Sequence, residues 1–492
     1  MGLYQIGWNR GNLIIVPSKS FLAGDFLFME VKMSNLTMDK LVNLCKSRGF
    51  IFQGSEIYGG MGNTWDYGPV GTELKSNVKK AWWKKIVQEG ENSFGVDAAI
   101  LMNRRVWEAS GHVASFGDPK MDCKECKTRH RADTIIEAYC RKNNIEDVKP
   151  DAMTKEEMMA FIDEHKINCP NCGKHNFTEI RNFNPMFETS RGVVDENQNK
   201  IYLRPETAQG EYVNFLNIQR STRAKVPFGI ANVGKAFRNE ITPGNFTFRT
   251  IEFEQMEHQL FCHEKDGMHY YNYYKNFSMD FFKSLGIKAE KLRFKDHDKL
   301  AHYAQAACDV QYEFPFGWEE LNGTHHRGTW DLSRHQEYSG KSMLYTDPFT
   351  NETFIPTVVE HTIGADRFTL AVLCDAYEEE ALENGETRVV MHFHPFLAPY
   401  KVAVLPLQKN LNEKAKEVLK KLNKTFMCTY DESGSIGKRY RRQDEIGTPF
   451  CVTIDFDTLE DNTVTIRDRD TMKQERVKID DLVSYIAPKL EF

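Results

Sequence analysis

The sequence has no long hydrophobic run, no excess of positive charge and no low-complexity tract. Its 492 residues carry a formal net charge of −6. No overall basic field therefore points to nucleic acid, and a basic patch would have to be local. No apolar segment approaches the length that spans a membrane, and the first residues lack the order of a secretory signal. Eleven cysteines in a chain of this size suit a reducing compartment. We therefore expect a cytoplasmic protein.

The chain is long enough for several domains. Residues 1–35 are weakly patterned and are predicted to be a poorly ordered N-terminal extension. A main domain is predicted over 36–392, interrupted by a charged, cysteine-bearing lobe at about 118–185. Two prolines in "MHFHPFLAPY" mark a boundary, and strands alternate with helices over 397–492. This order predicts an α+β protein that ends in a small α/β domain with a mostly parallel sheet.

One stretch, "GKAFRNEITPGNFTFRTIEFEQMEHQLF" at 234–261, reads as two strands around a short turn. Side chains alternate along a strand, so one face of each strand collects arginines, acids and a ring: Arg238, Glu240, Arg249, Phe253 and Glu257. Such a face packs poorly, but it suits a nucleotide, with arginine for phosphate and a ring for the base. From this stretch alone, a solvated hairpin with incidental charges is an equally good interpretation.

Further motifs place the hairpin in a larger pattern. "LRPETAQG" at 203–210 holds an arginine and a glutamate around a proline, and "GADRFTLAVL" at 364–373 holds an arginine at the start of an apolar helix. Together with "WDYGPVG", "EASGH" and "IGKRYRRQDEIGTPF", they make the chain resemble the class II aminoacyl-tRNA synthetases, and in particular the dimeric glycyl-tRNA synthetases. The resemblance runs from about residue 36 to the C terminus.

The resemblance implies a fold and an activity. The fold is a class II catalytic domain, with an antiparallel sheet flanked by helices, followed by an anticodon-binding domain. The activity is ATP-dependent ligation of glycine to tRNA(Gly) through a glycyl-adenylate, with release of AMP and pyrophosphate. A homodimer and Mg²⁺ bridging the phosphates are also implied.

The resemblance assigns roles at the nucleotide. Arg238 would clamp the α-phosphate and the incoming carboxylate, and Arg367 would meet the γ-phosphate where a helix N terminus adds favourable potential. Phe253 would stack on adenine, Glu240 would read its amino group and Arg249 would cover the nucleotide. The implied nucleotide set is Arg238, Asn239, Glu240, Phe248, Arg249, Phe253, Glu320, Leu321, Glu360, Thr362 and Arg367. Of these, the resemblance marks Arg238 and Arg367 as catalytic.

Glycine has no side chain to grip, so a glycine site can hold only the ammonium and the carboxylate. By resemblance three acids gather around the ammonium, two arginines are candidates for the carboxylate, and Thr362 fills the space of an α-substituent. The implied glycine set is Arg131, Glu206, Phe253, Gln255, Glu257, Arg327, Glu360 and Thr362. Steric exclusion suits this substrate because every rival is larger, which agrees with the lack of an obvious editing domain.

Two positions depart from the usual pattern of the family. Thr362 stands where many relatives carry serine, so the hydroxyl is kept and a methyl is added. Arg104 stands where many relatives carry proline, in the region that builds the dimer interface. The second departure bears on interface detail and leaves the expected activity unchanged.

Two cysteine pairs lie in the predicted lobe, "CKEC" and "CPNC". Four thiolates suit tetrahedral Zn²⁺, although the spacer is longer than in compact zinc ribbons. We predict a structural zinc at Cys123, Cys126, Cys169 and Cys172. The alternative is two thiol pairs without metal.

The C-terminal segment "SIGKRYRRQDEIG" is basic, and we expect its helix to touch RNA through Lys438, Arg439, Arg441 and Arg442. A solvated basic face is the alternative. Two other functions compete with the main one: an inactive relative that only binds nucleic acid, and a synthetase for another small amino acid. The retained arginines and acids argue against the first, and the acid-rich amine site argues against the second.

Overall fold

The structure is a computed structural model that describes residues 36–115, 117–145, 147–150, 153–192, 200–240, 244–297, 300, 304–382 and 385–492, with the backbone of 4–9 and 12–17. The predicted N-terminal extension contributes two strands, β1 (Tyr4–Asn9) and β2 (Asn12–Pro17), which pair antiparallel. The rest of that extension lies outside the described residues. Across the described residues, no helix is long and apolar enough to cross a lipid bilayer.

The chain then enters the catalytic domain through short elements: α1 (Met38–Arg48), β3 (Ile51–Gln53), β4 (Trp65–Tyr67), α2 (Pro69–Trp83), β5 (Ser93–Gly95), α3 (Arg104–Ala109) and α4 (His112–Ser115). The Thr37 side chain caps α1 by accepting from the Lys40 amide, and Gly49 ends the helix with a φ of 76°. The helix α2 buries a stripe that includes Leu74 and Trp82. It continues as a π-helical turn rather than as regular helix.

The inserted lobe contains β6 (Asp118–Asp122), β7 (Arg129–Arg131), α5 (Ala132–Asn143), α6 (Lys155–Glu164) and β8 (Arg181–Phe183). Its three strands pair in the order β7-β6-β8. Its hydrophobic core is separate from that of the main sheet and includes Ile136, Ile162 and Phe177. The lobe therefore packs around its own centre.

The middle of the chain builds most of the main sheet, its helices and three two-stranded sheets. Its elements are β9 (Glu188–Ser190), β10 (Lys200–Tyr202), α7 (Ala208–Val213), α8 (Phe215–Thr222), β11 (Phe228–Phe237), β12 (Glu252–Cys262), α9 (Gly267–Ser284), β13 (Leu292–Asp296), β14 (Ala306–Phe314), β15 (Gly317–Gly328), α10 (Trp330–Ser339), β16 (Tyr345–Thr346), β17 (Thr353–Phe354), β18 (Thr357–Gly364), α11 (Ala365–Ala376), β19 (Tyr377–Ala381) and β20 (Thr387–Met391). The two-stranded sheets are β9-β10, β16-β17 and β19-β20. Seven strands form one sheet in the order β13-β14-β15-β18-β12-β11-β5. All neighbours are antiparallel except β5 and β11.

The two faces of this sheet have different roles. One face packs against α9 and α11 and buries alternate apolar residues such as Met256, Val359 and Ile363. Because side chains alternate along a strand, the residues between them, among them Glu257 and Glu360, point to the other face. That second face carries the candidate site.

The predicted short turn in the hairpin is wrong. The strand β11 ends at Phe237 and β12 begins at Glu252, so Arg238, Glu240 and Arg249 lie in the connection and not on strands. One further hydrogen bond, from the Arg238 amide to the Ile251 carbonyl at 2.9 Å, joins the two ends of the connection. The pairing stops there, because the amide of Ile251 donates to the carbonyl of Asn63 at 3.1 Å. The arginines therefore project from a loop that covers the sheet.

The C-terminal domain contains β21 (Val402–Pro406), α12 (Asn412–Leu422), β22 (Cys428–Tyr430), α13 (Ile436–Ile446), β23 (Phe450–Ile454), α14 (Asp457–Asp461), β24 (Thr463–Asp468), β25 (Gln474–Lys478) and α15 (Leu482–Ile486). The sheet order is β22-β21-β23-β24-β25. The first three strands are parallel, as predicted, and the last two add an antiparallel extension.

One expectation for α13 is wrong. Arg439 is only 4% exposed and donates to the carbonyls of Gly434 and Pro406, so it holds the fold and does not present its charge to RNA. Lys438, its neighbour, is exposed. A basic residue on an amphipathic helix can thus stabilise its own domain instead of contacting a partner.

Candidate active site

A pocket of about 220 Å³ lies on the polar face of the seven-stranded sheet. Strand register assembles it. Glu257 of β12 lies opposite Thr362 of β18, and Gln259 lies opposite Glu360. On the other side of β18, His325 of β15 lies opposite Glu360. Three neighbouring strands therefore bring residues that are far apart in sequence onto one small surface.

Most of the residues predicted from the sequence line this one pocket. They are Glu206, Arg238, Glu240, Phe248, Arg249, Phe253, Gln255, Glu257, Glu320, Arg327, Glu360, Thr362 and Arg367. The acids Glu206, Glu257 and Glu360 raise one another's pKa values and so lie close together, whereas Arg238 and Arg367 both lie near Glu320. We refer to these as the acid end and the arginine end.

Glu360 is held by three side chains. Its Oε2 accepts from Gln259 Nε2 at 2.9 Å and from Arg327 Nη1 at 3.1 Å, and its Oε1 lies 2.7 Å from His325 Nδ1. Burial raises its pKa, but the charge of Arg327 and the hydrogen bond with His325 outweigh burial and lower the pKa to about 2. Glu360 is therefore a carboxylate at neutral pH.

The pKa of Glu257 is shifted in the opposite direction. It is 3% exposed, the Thr207 hydroxyl donates to its Oε2, and Gln255 Nε2 donates to its Oε1 at 3.3 Å. Burial raises the pKa of this carboxyl group, and the charges of Glu360 and Glu206 raise it further, to about 8. A bound cation would favour the ionised form, because it would offset the neighbouring negative charges. The acid end is thus prepared for a small cation such as an ammonium.

Two further acids lie near Glu257 and Glu360: Glu206 lines the pocket, and Glu211 is buried outside its lining. Glu206 accepts from Gln209 Nε2 at 2.9 Å, and its Oε2 lies 3.3 Å from His112 Nε2. Burial raises the pKa of Glu206, but the charge and hydrogen bond of His112 outweigh it and lower the pKa. Glu211, which the sequence analysis missed, is fully buried. Burial, with the nearby charge of Glu257, raises the pKa of Glu211 well above its usual range.

Arg327 is engaged with protein carboxylates. It grips Asp331 with two donors, Nε at 2.8 Å and Nη2 at 2.9 Å, while Nη1 reaches Glu360. It is 5% exposed. These contacts make Arg327 a residue that orients Glu360. Its expected contact with a substrate carboxylate stays a prediction.

At the arginine end, Arg238 directly follows the last residue of β11, and its side chain turns back over the sheet. Its Nε donates to the carbonyl of Pro205 at 2.9 Å, and its guanidinium carbon lies 5.4 Å from the centre of the Phe253 ring. The arginine and the ring thus present adjacent faces, as binding of a phosphate beside a stacked base requires.

Arg367 lies in the first turn of α11. Its guanidinium carbon is 4.4 Å from the centre of the Phe248 ring, and its Nη1 is 3.0 Å from Glu320 Oε2. Its side chain keeps 26% of its surface exposed. The position at a helix N terminus adds favourable potential for an anion.

Behind the arginine end, a buried lysine joins three elements. Lys75 of α2 lies 2.7 Å from Glu254 Oε2 and 2.7 Å from Asp366 Oδ1, and the Glu254 amide donates to Asp366 Oδ2 at 2.7 Å. Asp366 directly precedes Arg367, so the lysine fixes the start of α11. The sequence analysis missed this network, but its signal was present: Lys75 lies on the apolar stripe of α2, beside Leu74.

Three predicted residues do not line the pocket. Arg131 lies in the inserted lobe, where its Nη2 is 2.6 Å from Asp133 Oδ2, and it lines a separate cavity of about 620 Å³ that Arg249 also borders. Leu321 is 1% exposed in the main core. Asn239 donates its amide to the carbonyl of Pro185 at 2.7 Å. The roles expected of these side chains therefore lack a direct geometric basis.

The four cysteines of the lobe converge. Cys123 Sγ lies 3.6 Å from Cys172 Sγ, and Cys126 Sγ lies 3.7 Å from Cys169 Sγ. Four thiolates at the corners of a tetrahedron with Zn–S bonds of about 2.3 Å lie about 3.8 Å apart. The donor set and its spacing fit zinc. All eleven cysteines of the chain are free thiols.

Comparisons with known proteins agree with this geometry. Residues 186–379 match the tRNA synthetase class II core domain (G, H, P, S and T), and residues 401–489 match the anticodon binding domain. The glycine–tRNA ligase of Clostridium kluyveri is 58% identical over 458 residues, which cover 93% of this chain and 99% of that protein. The glycine–tRNA ligase of Caldanaerobacter subterraneus subsp. tengcongensis is 58% identical over 459 residues, with the same coverage.

A solved structure shares the fold at much lower identity. It is titled as the RNA binding domain of threonyl-tRNA synthetase from Cryptosporidium parvum Iowa II. It aligns with a TM-score of 0.60 and 15% identity, covering 91% of this chain and 98% of that one. The predicted fold class is thereby confirmed.

The antiparallel sheet, its pocket and the two domain matches define a class II aminoacyl-tRNA synthetase. With 58% identity over nearly its whole length, the chain belongs to the glycine–tRNA ligase family. The family predicted from the sequence is confirmed.

Proposed function

We propose that the protein ligates glycine to tRNA(Gly) in two steps. In the first, a glycine carboxylate oxygen attacks the α-phosphorus of ATP. The new bond joins that oxygen to phosphorus, the bond to the β-phosphate breaks, and pyrophosphate leaves. In the second, the glycyl group passes to a terminal hydroxyl of the tRNA and AMP leaves. The observation that carries the proposal is the pocket itself, in which an acid end for an ammonium faces an arginine end for phosphates.

At the acid end, Glu206, Glu257 and Glu360 surround the glycine ammonium. Support comes from their convergence in one pocket and from the raised pKa of Glu257, about 8, which a cation would relieve. Gln255 positions Glu257 through its side-chain amide. Arg327 positions Glu360.

At the arginine end, Arg238 holds the α-phosphate and Arg367 holds the γ-phosphate, while Phe253 stacks on adenine. Positioning and charge neutralisation supply most of the rate enhancement in such a transfer. Arg238 and Phe253 are already stacked, which supports the pairing of a phosphate contact with a base contact. Glu320, whose carboxylate lies beside Arg367, would help to hold Mg²⁺, which would neutralise phosphate charge.

Selectivity for glycine would come from a steric wall, formed by side chains that limit the space beside the substrate. A Cβ built on Gly323 would lie 3.4 Å from Thr362 Cγ2 and 2.8 Å from His325 Cε1. The threonine methyl and the histidine ring thus lie together beside Gly323 in the lining of the pocket, where they would limit the space for a substituent on the substrate. Every rival amino acid is larger than glycine, so exclusion suffices.

The remaining parts have supporting roles. A structural zinc in the lobe is supported by the spacing of the four cysteines, and zinc analysis of protein purified without chelator would test it. The C-terminal domain would bind the anticodon of tRNA(Gly), in line with its domain match.

Exposed Ile57, Tyr58 and Met61 favour a homodimer. Eleven free thiols favour the cytoplasm.

Glycine-dependent exchange of labelled pyrophosphate into ATP tests the first step directly, and charging of tRNA(Gly) tests the second. We expect exchange with glycine and not with alanine or serine. Faster exchange with either larger amino acid, or none with glycine from protein that binds ATP, would overturn the proposal.

A further inference from the structure

We propose that His297, Asp309 and His325 form a second metal site that takes a divalent transition metal such as Zn²⁺. One ligand atom from each of the three side chains lies within 4.8 Å of the other two. Two imidazoles and a carboxylate are a donor set that suits Zn²⁺ and its neighbours rather than Mg²⁺. His297 and Asp309 lie outside the lining of the active-site pocket, whereas His325 belongs to that lining and joins the two sites.

The sheet places these groups together by register. Asp309 of β14 lies opposite Gly323, and Ala307 lies opposite His325. Residues two apart on a strand share a face, so Asp309 and His325 point to the same side. His297 directly follows β13, and its amide donates to the Ala307 carbonyl at 3.1 Å. The backbone therefore fixes all three positions before any ion binds.

Two of the three side chains are already in contact, and the third lies nearby. His297 Nε2 lies 2.8 Å from Asp309 Oδ1, and the rings of His297 and His325 lie 5.8 Å apart between centres. Ligand atoms around a tetrahedral ion with bonds of about 2.0–2.1 Å lie about 3.4 Å apart. His297 is exposed at the end of its strand, so its ring has room to adjust when an ion binds.

His325 is oriented as metal-binding histidines are. Its Nδ1 lies 2.7 Å from Glu360 Oε1, and the Glu360 carboxylate accepts the proton of Nδ1, which leaves Nε2 with its lone pair. A carboxylate behind the ligating ring fixes the tautomer and strengthens the ligand. The ring leans over Gly323, where a Cβ would come within 2.8 Å of Cε1. The absent side chain thus makes room for the ring on the side of Asp309.

Three protein ligands leave at least one coordination position for water or another donor. The ion would hold the His325 ring, and through it the hydrogen bond to Glu360. It is distinct from the cysteine cluster in its ligands, because it contains no sulfur. Because its ligands include no thiolate, the absorption spectrum of a bound metal distinguishes this site from the cysteine cluster.

Cobalt titration of the full-length protein tests the site, because Co²⁺ replaces Zn²⁺ and reports its ligands. We expect one equivalent of Co²⁺ beyond that held by the cysteines, with d–d absorption but no added thiolate charge-transfer band. His297→Gln and Asp309→Asn each remove one ligand from an exposed or half-buried position. Each substitution should lower the affinity for this additional Co²⁺ at least about 100-fold, since even changes to residues behind the ligands cost 10–100-fold in metal affinity.

The matched control is His263→Gln. His263 also pairs with a carboxylate, Glu352 Oε1 at 3.2 Å, but the described residues place no second histidine in a ligand cluster with it. It should leave the titration unchanged. Loss of the extra equivalent in His297→Gln and Asp309→Asn but not in the control supports the site. An extra equivalent that persists in both variants, or none in wild-type protein, overturns the proposal.

Thermal unfolding provides a second readout that does not depend on activity. A ligand that binds only the folded state raises its stability, so Zn²⁺ should raise the Tm of wild-type protein and of His263→Gln by more than that of His297→Gln. Equal shifts in all three proteins would place the added metal elsewhere. His325 is left intact in these tests because it contacts Glu360.

Discussion

The acid end and the arginine end of the pocket are built by different means. At the acid end, strand residues such as Glu257 and Glu360 are at least 96% buried, and each carboxylate has partners within the protein. At the arginine end, Arg238 comes from a loop, while Arg367 begins a helix and keeps about a quarter of its side chain exposed. One end is complete before substrate arrives, and the other keeps surface open to a large anion.

This difference matches the two proposed ligands. An ammonium is small, so its selection depends on charges that are fixed in advance and desolvated. A triphosphate is large and brings its own charge, so side chains with room to adjust can close on it. The contrast predicts that changes at the acid end affect glycine selectively, whereas changes at the arginine end affect the chemical step.

The largest effect is expected at the arginine end. Arg238→Ala should slow pyrophosphate exchange about 10²–10³-fold, or about 3–4 kcal/mol, as removal of an oxyanion donor typically does. The matched control is Arg293→Ala, because Arg293 also stacks on a ring, 4.3 Å from the centre of Trp318, but does not line the pocket. If Arg238→Ala kept nearly wild-type exchange, its assignment to the phosphate would be wrong.

At the acid end, Glu257→Gln should raise KM for glycine by about 30-fold, near 2 kcal/mol, and change KM for ATP little. The estimate takes the low end of the usual cost of about 2–5 kcal/mol for a broken charge pair, because two other acids remain. Glutamine keeps the shape and removes the charge. Glu252→Gln, on the same strand but exposed, is the control. Equal damage to ATP and glycine binding would move Glu257 into the nucleotide site.

Titration of Glu257 should make glycine binding depend on pH. Its pKa is raised to about 8, so the free protein holds a proton there at pH 7, and binding of an ammonium expels it. KM for glycine should therefore fall as pH rises toward 8, by up to about tenfold per unit, and level off above. Steady-state exchange at pH 6.5 to 8.5 would show this slope, and Glu257→Gln should flatten it. An equal slope in the variant would assign the titration to another group.

The smallest change is expected from opening the wall. Thr362→Gly should keep glycine-dependent exchange within a few-fold, because the ammonium contacts are untouched, and should allow weak activation of alanine. One or two methyl groups are worth only about 1–3 kcal/mol in discrimination. Exchange assays with both amino acids measure it. Continued rejection of alanine would mean that another side chain, with His325 the first candidate, sets the limit.

Sequence reasoning reached the fold and most pocket residues because motifs report local chemistry. Glu206, Arg238 and Arg367 could be named from short segments whose family resemblance supplied their juxtaposition. The protonation of Glu257 could not be predicted, because it depends on burial and on neighbours from other strands. The long connection after β11 could not either, because Ile251 pairs with a loop almost two hundred residues earlier.

Charged residues on helices show a second limit of sequence reasoning. Arg439 was expected to contact RNA but binds backbone carbonyls inside its own domain. Lys75, for which the sequence analysis made no prediction, lies buried between two carboxylates. In both cases the helical periodicity shows which face of the helix carries the residue. Only tertiary packing shows what covers that face.

The position of Lys75 bears on how small a working catalytic fragment can be. The segment that matches the synthetase core, residues 186–379, contains Arg238 and Arg367 but not this lysine. In such a fragment Glu254 and Asp366 would face each other without their shared counterion, and like charges at that distance repel. A miniature enzyme cut to the family boundary would therefore need the α2 helix supplied in trans, or neutral residues at these two positions.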